Sequence, residues 1–436
     1  MKHSSLDDGK FDVIVCGAGS AGVAAACSAA QEGARTLLLE RHGYGGGILT
    51  AAMIHTFDAI KSCLNHDIQV VGGFASALLD EIKGLGGFAT DDNPGEALTV
   101  HPEIHKVAVD RLLERHGVTV LFHAPVCGAL MDGNRVVGVE ASLRDGRARI
   151  RGVVTIDCTG DADVAFHAGA SWTVDKELQA MTYHFRLGGI DPVPDWRQWE
   201  EITRRALQAA HLAGEIGVFG GPWIIRIGGE EISVNTTRVY GNPVDPLELS
   251  GAEREARAQM MQIWGILRRR VPELARSYIL TGASQLHIRE SRKITGEYVL
   301  TEEDIRNGTR FPDAIAVGAW PIDIHPADGR VGVHPHKDDA PQPYEIPYRC
   351  LVPRAIDGLL VAGKPISTTH RAHGSTRVPG TSMATGQAAG VAAALAARTG
   401  TPVRRVDTTA LRERLHAQQA IVTAADASPG SGYRHP

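Results

Sequence analysis

The sequence predicts an α/β protein of two domains. One is a doubly wound domain on a parallel sheet, and the other is an α+β domain with an antiparallel sheet. Three observations carry this prediction. Residues 11–40 read as an apolar strand, a glycine-rich turn, a small-residue helix and a second apolar strand. The strand-then-glycine pattern returns near the C-terminus, at Gly358-Leu-Leu-Val-Ala-Gly363. Between them, residues 182–239 hold short β-prone stretches that suit antiparallel pairing.

The first unit is the most informative. Phe11–Cys16 is a buried parallel strand by composition. Gly17, Gly19 and Gly22 form G-x-G-x-x-G. Gly17 permits the tight turn, Gly19 lets the backbone approach a pyrophosphate, and Gly22 lets the helix pack close to the strand. The helix over Ala21–Ala30, entered at Ser20, offers free N–H groups and a positive dipole end to phosphates. Thr36–Leu39 is the second strand, closed by Glu40 and Arg41. Glu40, 18 residues beyond Gly22, stands where a carboxylate takes both ribose hydroxyls, and it would repel a 2′-phosphate. Strand, helix and acid together are the context that a dinucleotide fingerprint requires. The fingerprint alone does not separate FAD from NAD. A second glycine cluster, Gly45-Gly46-Gly47-Ile48-Leu49-Thr50, suits the longer cofactor, because its N–H groups can meet the pyrophosphate and ribityl chain.

The remaining elements follow in order. Residues 51–98 read as an insertion of loops with a short helix, and 101–116 have helical spacing. Val118–Val126 reads as a strand, leading through a turn at Asp132-Gly133-Asn134 into Val136–Glu140. Val153–Ile156 ends in Asp157-Cys158-Thr159-Gly160-Asp161. In the second domain, 182–187, 223–227 and 231–239 read as strands, and 252–274 as a long amphipathic helix. Residues 374–380 read as a loop before a helix over 381–395, capped by Thr381 or Ser382. The parallel-sheet domain is therefore discontinuous, 8–178 with 347–420, around an antiparallel domain at 179–346. The tail 424–436 is expected to be disordered.

Taken in order, Gly17–Gly22 with Glu40, Gly46–Thr50, Asp157–Asp161, Arg289–Tyr298, Trp320–His325 and Leu359–Leu395 form a recognisable series. On these motifs the chain resembles the FAD-dependent oxidoreductases of the two-dinucleotide-binding-domain flavoprotein group. It resembles most the branch related to fumarate reductase flavoproteins and thiazole-biosynthesis proteins. The resemblance implies a Rossmann-like FAD-binding domain and FAD as cofactor. It implies Glu40 at the adenosine ribose and the Val126 backbone at the adenine edge. Thr159, Gly160 and Asp161 would lie beside the adenosine half, and Gly363 at the ribityl–pyrophosphate region. The helix entered at Gly380, Thr381, Ser382 and Met383 would point at the pyrimidine edge of the isoalloxazine. One residue departs from the pattern. Lys364 stands where many relatives carry an acidic residue bonded to a ribityl hydroxyl.

Composition narrows the function classes. A chain of 436 residues, 43% hydrophobic and 22% charged, suits a two-domain globular enzyme. A net charge of −5 without a dense basic patch argues against nucleic acid as a partner. No apolar run is long enough to span a membrane, and the first ten residues carry no apolar leader. The six cysteines show no metal or redox spacing, so a cytoplasmic protein with buried thiols is expected. A homo-oligomer is compatible with all of this.

Four segments are expected to meet at the flavin ring: Tyr183-His184, Arg289–Arg292, Asp323-Ile324-His325 and His370–Arg377. The candidate catalytic residues are His325, His370, His373, Arg377 and Arg289. Histidine suits taking a proton as hydride leaves. Arginine suits binding a carboxylate or holding charge on a reduced flavin. For Arg289 and Arg292 an internal ion pair around Glu290 is the structural alternative. Asp323-x-His325 with His334-x-His336 has metal-like spacing, but the flavin resemblance leaves no metal expected. The expected function is an FAD-dependent oxidase or dehydrogenase on a small polar substrate, as in specialised metabolism. The electron acceptor stays open, with dioxygen one candidate. The alternatives are an alkene reductase, a monooxygenase, a flavin-dependent tRNA-modifying protein or a non-catalytic flavin-binding protein.

Overall fold

The structure, a computed structural model, describes residues 11–88, 98–193, 195–325 and 341–427. The expected strands β1 (Phe11–Cys16) and β2 (Thr36–Leu39) flank α1 (Ser20–Gln31). β3 (Thr119–Leu121) and β4 (Val126–Asp132) are separate strands where the sequence suggested one run, because the chain turns at His123, whose φ is +54°. β5 (Arg135–Leu143) and β6 (Gly146–Asp157) complete the first set. The sheet order is β3-β2-β1-β6-β5-β4, with β7 (Leu359–Val361) also paired to β6.

β6 belongs to two environments. Its first half, Gly146–Arg151, pairs antiparallel with β5 and alternates between exposed and buried. Its second half runs parallel between β1 and β7 and is buried residue after residue at Val154–Asp157. Alternation suits a ribbon with one wet face, and continuous burial suits a parallel strand covered by helices on both faces.

The antiparallel sheet is also present. β8 (Phe185–Gly188), β9 (Trp223–Gly228), β10 (Glu231–Asn235) and β11 (Tyr278–Gly282) lie in the order β9-β10-β8-β11. Two helices cover it. The helix at Trp196–Leu212 was not anticipated, and the long helix runs over Pro246–Arg270 rather than 252–274. Asp245 caps the latter by accepting from the Leu247 and Glu248 N–H groups, and Pro246 stands at its first position. Its terminal arginines Arg269 and Arg270 pair with Glu215.

Toward the C-terminus, residues 370–376 form a short helix, His370–Thr376, capped by Thr369, not part of a loop. The next helix begins at Pro379, with Val378 as N-cap, and runs to Thr399. Thr381 and Ser382 therefore lie inside its first turn rather than at the cap. This helix packs along α1. A Cβ at Gly386 would lie 2.1 Å from the Ala21 carbonyl oxygen, and one at Gly390 would lie 2.2 Å from that of Ala25. The two glycines four residues apart, facing alanines, set the closeness of the pair. The strand pair Ala314–Gly318 with Tyr344–Pro347 falls in the 179–346 segment but for Pro347, yet Ile315, Val317 and Ile346 pack in the same apolar cluster as β1 and α1. At the start of that tail, Ala424 N–H donates to Glu345, and Asp426 accepts from Thr423 N–H. His334, His336 and 428–436 lie outside the described residues.

Candidate active site

A cleft of about 1240 Å³, part of it open to solvent, crosses the C-terminal ends of β1, β2, β6 and β7. Open α/β sheets bind ligands at this edge. Gly17, Gly19 and Ser20 line it at the mouth of α1. A Cβ at Gly22 would lie 1.7 Å from the Gly17 carbonyl oxygen, so Gly22 sits behind the turn and sets its tightness. Gly17 itself has φ +95°, which glycine adopts without strain. No side chain caps α1, and the Ser20 hydroxyl is buried without a protein partner. Free donors at a helix start are what a pyrophosphate takes.

Glu40 is 6% exposed and lines the cleft. Its carboxylate accepts the Ala18 N–H at 2.6 Å and the His42 N–H at 2.8 Å. These bonds fix both oxygens beside the glycine turn. Arg41 and Val126 line the same end. Gly47 lines the cleft opposite Gly19, while Gly46 and Thr50 stand behind it, the Thr50 hydroxyl donating to the Gly45 carbonyl at 2.8 Å.

Thr159, Gly160, Asp161, Gly363 and Lys364 form the floor. The floor holds a charge pair. Lys364 Nζ donates to Asp161 at 3.1 Å and to the Ile288 carbonyl at 3.0 Å. Burial pushes the Asp161 carboxyl up, but Lys364, the Ser291 hydroxyl and Arg41 outweigh it and hold its pKa below the usual range. Below the floor, Asp157 accepts from Thr159 and from the Ala165 N–H, and burial raises its carboxyl to about 6.

The far end of the cleft is cationic. Arg289, Arg377, Pro379 and Ser382 line it. Gly380, Thr381 and Met383 sit behind, buried against Asp58 and Ala59 or within the helix. Arg377 donates to Asp323 at 2.8 Å. Arg289, 3% exposed, donates to the Ala180 carbonyl at 2.7 Å and the Thr182 hydroxyl at 2.6 Å. Among the described residues it makes no ion pair, so the structural alternative of a pair with Glu290 does not hold: Glu290 pairs with Lys293 and His370, and Arg292 with Asp163. Burial and the Arg377 charge drive the Arg289 pKa well below the ordinary arginine range. A guanidinium keeps its proton, so this environment calls for an anion.

Three candidate histidines stand apart from the cleft. His373 is buried in the short helix, its Nε2 bonded to the Arg289 carbonyl at 2.9 Å, and burial lowers its pKa to about 3. It holds the Arg289 backbone. His370 faces the other way, toward Glu290 at 2.9 Å and Asp175. Asp175, Glu290 and His370 have metal-like closeness, but the Lys293 ammonium pairs with both acids and supplies the cation there. His325 lies behind Arg377, bonded to Asp323 at 3.1 Å and to Arg238 at 3.2 Å, with burial lowering its pKa to about 3. Sequence reasoning missed the wall formed by Gln285, Leu286, His287 and Ile288. This segment has no periodicity, and only its closeness to the Arg289 motif could have flagged it.

Comparison with known proteins gives the family. A family profile described as "FAD dependent oxidoreductase" matches residues 12–415. The chain belongs to that family. The enzyme is accordingly an FAD-dependent oxidoreductase, and the uncapped α1 turn and Glu40 offer groups that fit FAD. Among curated proteins it is similar to the tRNA uridine 5-carboxymethylaminomethyl modification enzyme MnmG of Dichelobacter nodosus (strain VCS1703A), 33% identical over 141 residues. That match spans 30% of this chain and about a fifth, 21%, of the relative. Among solved structures, the flavin-dependent brominase Bmp2 superposes with TM-score 0.50 at 14% identity, covering 94% of this chain and 85% of that one. A geranylgeranyl bacteriochlorophyll reductase-like protein of Thermoplasma acidophilum gives 0.49 at 12%, covering 94% and 83%. Identities this low speak to the fold alone. No described helix is long and apolar enough to cross a membrane.

Proposed function

We propose that this flavoenzyme is an oxidase or dehydrogenase that takes hydride from a small polar substrate carrying an anionic group. The cofactor's adenosine would rest at Glu40, its pyrophosphate at the α1 turn, and its reactive ring beside Arg289, Arg377 and the helix at Pro379. When bound, FAD supplies the two-electron chemistry. The chain's residues bind and orient. The observation that carries this reading is Arg289: a buried guanidinium on the cleft wall with no carboxylate of its own among the described residues. Beside it Arg377 holds Asp323, so the two cations share one acid. A substrate carboxylate would supply the second. In this reading the enzyme is cytoplasmic and passes its electrons to dioxygen or another acceptor.

The test is direct. The purified protein should be yellow, and acid should release free FAD. Anaerobic titration with small hydroxy and amino acids should bleach the flavin with at least one of them, and Arg289→Gln should abolish that bleaching while flavin content stays. Bleaching by neutral substrates alone would overturn the anionic-substrate reading. The similarity to MnmG favours a second reading, modification of tRNA. The net charge of −5 opposes it. Nucleic acid co-purifying through a salt gradient would support it.

A further inference from the structure

Side chains from two distant parts of the chain meet across the mouth of the cleft. The geometry points to a latch. Gln285 closes over the end of the cleft at Glu40 by bonding to Arg41 and His42, and it swings aside for FAD to enter or leave. This goes beyond the proposed reaction and rests only on FAD as the cofactor of the cleft.

One side of the latch is the turn after β2. Glu40, Arg41 and His42 line the cleft in succession. The His42 ring stacks on Tyr44, with centroids 5.7 Å apart and planes 11° from parallel. Lys106 Nζ stands 4.0 Å from the Tyr44 ring centroid and ties the turn to the helix Pro102–Arg115. The other side is the wall from Gln285 to Ile288. Its backbone is fastened on both sides of Gln285. Ser284 N–H donates to the Ala51 carbonyl at 2.8 Å, Leu286 N–H to the Glu253 carboxylate at 2.9 Å, and His287 N–H to the Thr182 carbonyl at 2.8 Å. From this fixed base the Gln285 side chain reaches across. Its Oε1 accepts from Arg41 Nη2 at 2.8 Å and lies 3.0 Å from His42 Nε2. Beside it the Tyr44 and Ser284 hydroxyls bond at 2.8 Å.

Two features make this bridge a latch rather than a fixed wall. The first is where it stands. Arg41, His42 and Gln285 all line the cleft, so bonds between them span its width one residue beyond Glu40, where the ribose would rest. The second is how it is held. Arg41 and Ser284 are exposed, and His42, Tyr44 and Gln285 are half-buried. Water replaces such bonds when they break, and long polar side chains regain rotamer freedom on release. The buried bonds of Arg289 to Ala180 and Thr182 have no such exchange. The fastened backbone stays in place, so the motion is one of side chains. A latch that is open for a fraction of the time scales entry and exit by that same fraction and leaves affinity unchanged. A side chain that held FAD directly would slow exit alone. The two roles therefore give different kinetics.

The test uses the full chain and needs no substrate. Uptake is followed by flavin fluorescence after apo-protein is mixed with FAD. Release is followed on holoenzyme carrying radiolabelled FAD, placed in excess unlabelled FAD. Gln285→Ala should speed uptake and release alike by about tenfold, the worth of one hydrogen bond to a charged group, with the dissociation constant within about threefold of wild type. Tyr44 does not line the cleft. Tyr44→Phe loses only the bond to Ser284 and should speed both rates by about two- to threefold, as a weak exposed bond allows. It carries the test if Gln285→Ala does not fold. Faster release with unchanged uptake in Gln285→Ala would make Gln285 a flavin contact and overturn the latch. Wild-type rates in a folded Gln285→Ala, or in Tyr44→Phe where that variant carries the test, would overturn it too. A wild type that takes up no FAD would instead overturn the cofactor on which the latch rests.

Discussion

Replacing Glu40 separates its structural from its cofactor-binding role. In the folded chain its carboxylate holds two backbone N–H groups, those of Ala18 and His42, at 2.6 and 2.8 Å. If it also accepts the ribose hydroxyls, Glu40→Ala removes charged acceptors from FAD. Hydrogen bonds to charged groups contribute ~1.5–3 kcal/mol. At ~1.4 kcal/mol per tenfold, FAD binding should weaken about tenfold to a hundredfold or more. The apo-protein should also be less stable, because the buried Ala18 N–H loses its acceptor at roughly 1–3 kcal/mol and the part-buried His42 N–H loses its own. Glu40→Gln should fall between, since its amide keeps one acceptor and turns a donor toward a donor. FAD titration of apo-protein by flavin fluorescence measures the first effect, and the apo melting temperature measures the second. An FAD dissociation constant within twofold of wild type, in a folded Glu40→Ala protein, would refute the ribose contact.

Gly386→Ala should lower the melting temperature and the flavin content together, because its Cβ meets the Ala21 carbonyl at the helix that opens the cleft; an unaffected variant would contradict the close pairing. Stability should fall as pH drops from 6.5 toward 3. His55, His105 and His373 have folded pKa values of about 3 against 6.5 unfolded, so the unfolded chain binds more protons in that window. Denaturant melts at pH 7 and pH 5 check this, and equal stabilities would refute the neutral burial of these rings.

The fold was legible where local pattern and tertiary role coincide. Phe11–Glu40 reads correctly almost residue by residue, because turn, helix packing and parallel burial each demand a distinctive residue type there. The helix at Trp196–Leu212 was missed although its pattern is amphipathic, with Trp199, Leu207 and Ala210 on the buried face. The His370–Thr376 helix was taken for a loop for a local reason: it contains Gly374 and two β-branched or hydroxyl residues of low propensity. Tertiary contact wins there. A Cβ at Gly374 would come within 2.9 Å of the Asp323 carbonyl oxygen, so only glycine allows the helix to touch that loop.

The site was half legible for a related reason. Glycines and Glu40 announce themselves because a tight turn and a buried carboxylate need distinctive residue types, and Gly17, Gly19 and Glu40 line the cleft. Side chains around a reacting centre come from distant segments, and type alone does not give direction. His370 and His373 share one short helix with Arg377 close behind, yet only Arg377 lines the cleft. Lys364 shows the converse. In sequence it departs from the acidic residue that the flavoprotein resemblance implies and looks like a lost acceptor. In space its ammonium meets Asp161, 203 residues away in the chain, and both line the floor. The floor thus retains a carboxylate beside a cation. The pair predicts that Lys364→Glu alone would set two carboxylates together and weaken flavin binding, whereas Lys364→Glu with Asp161→Lys would recover part of it. Equal flavin affinity in the single and the double variant would show that the floor reads no charge at all.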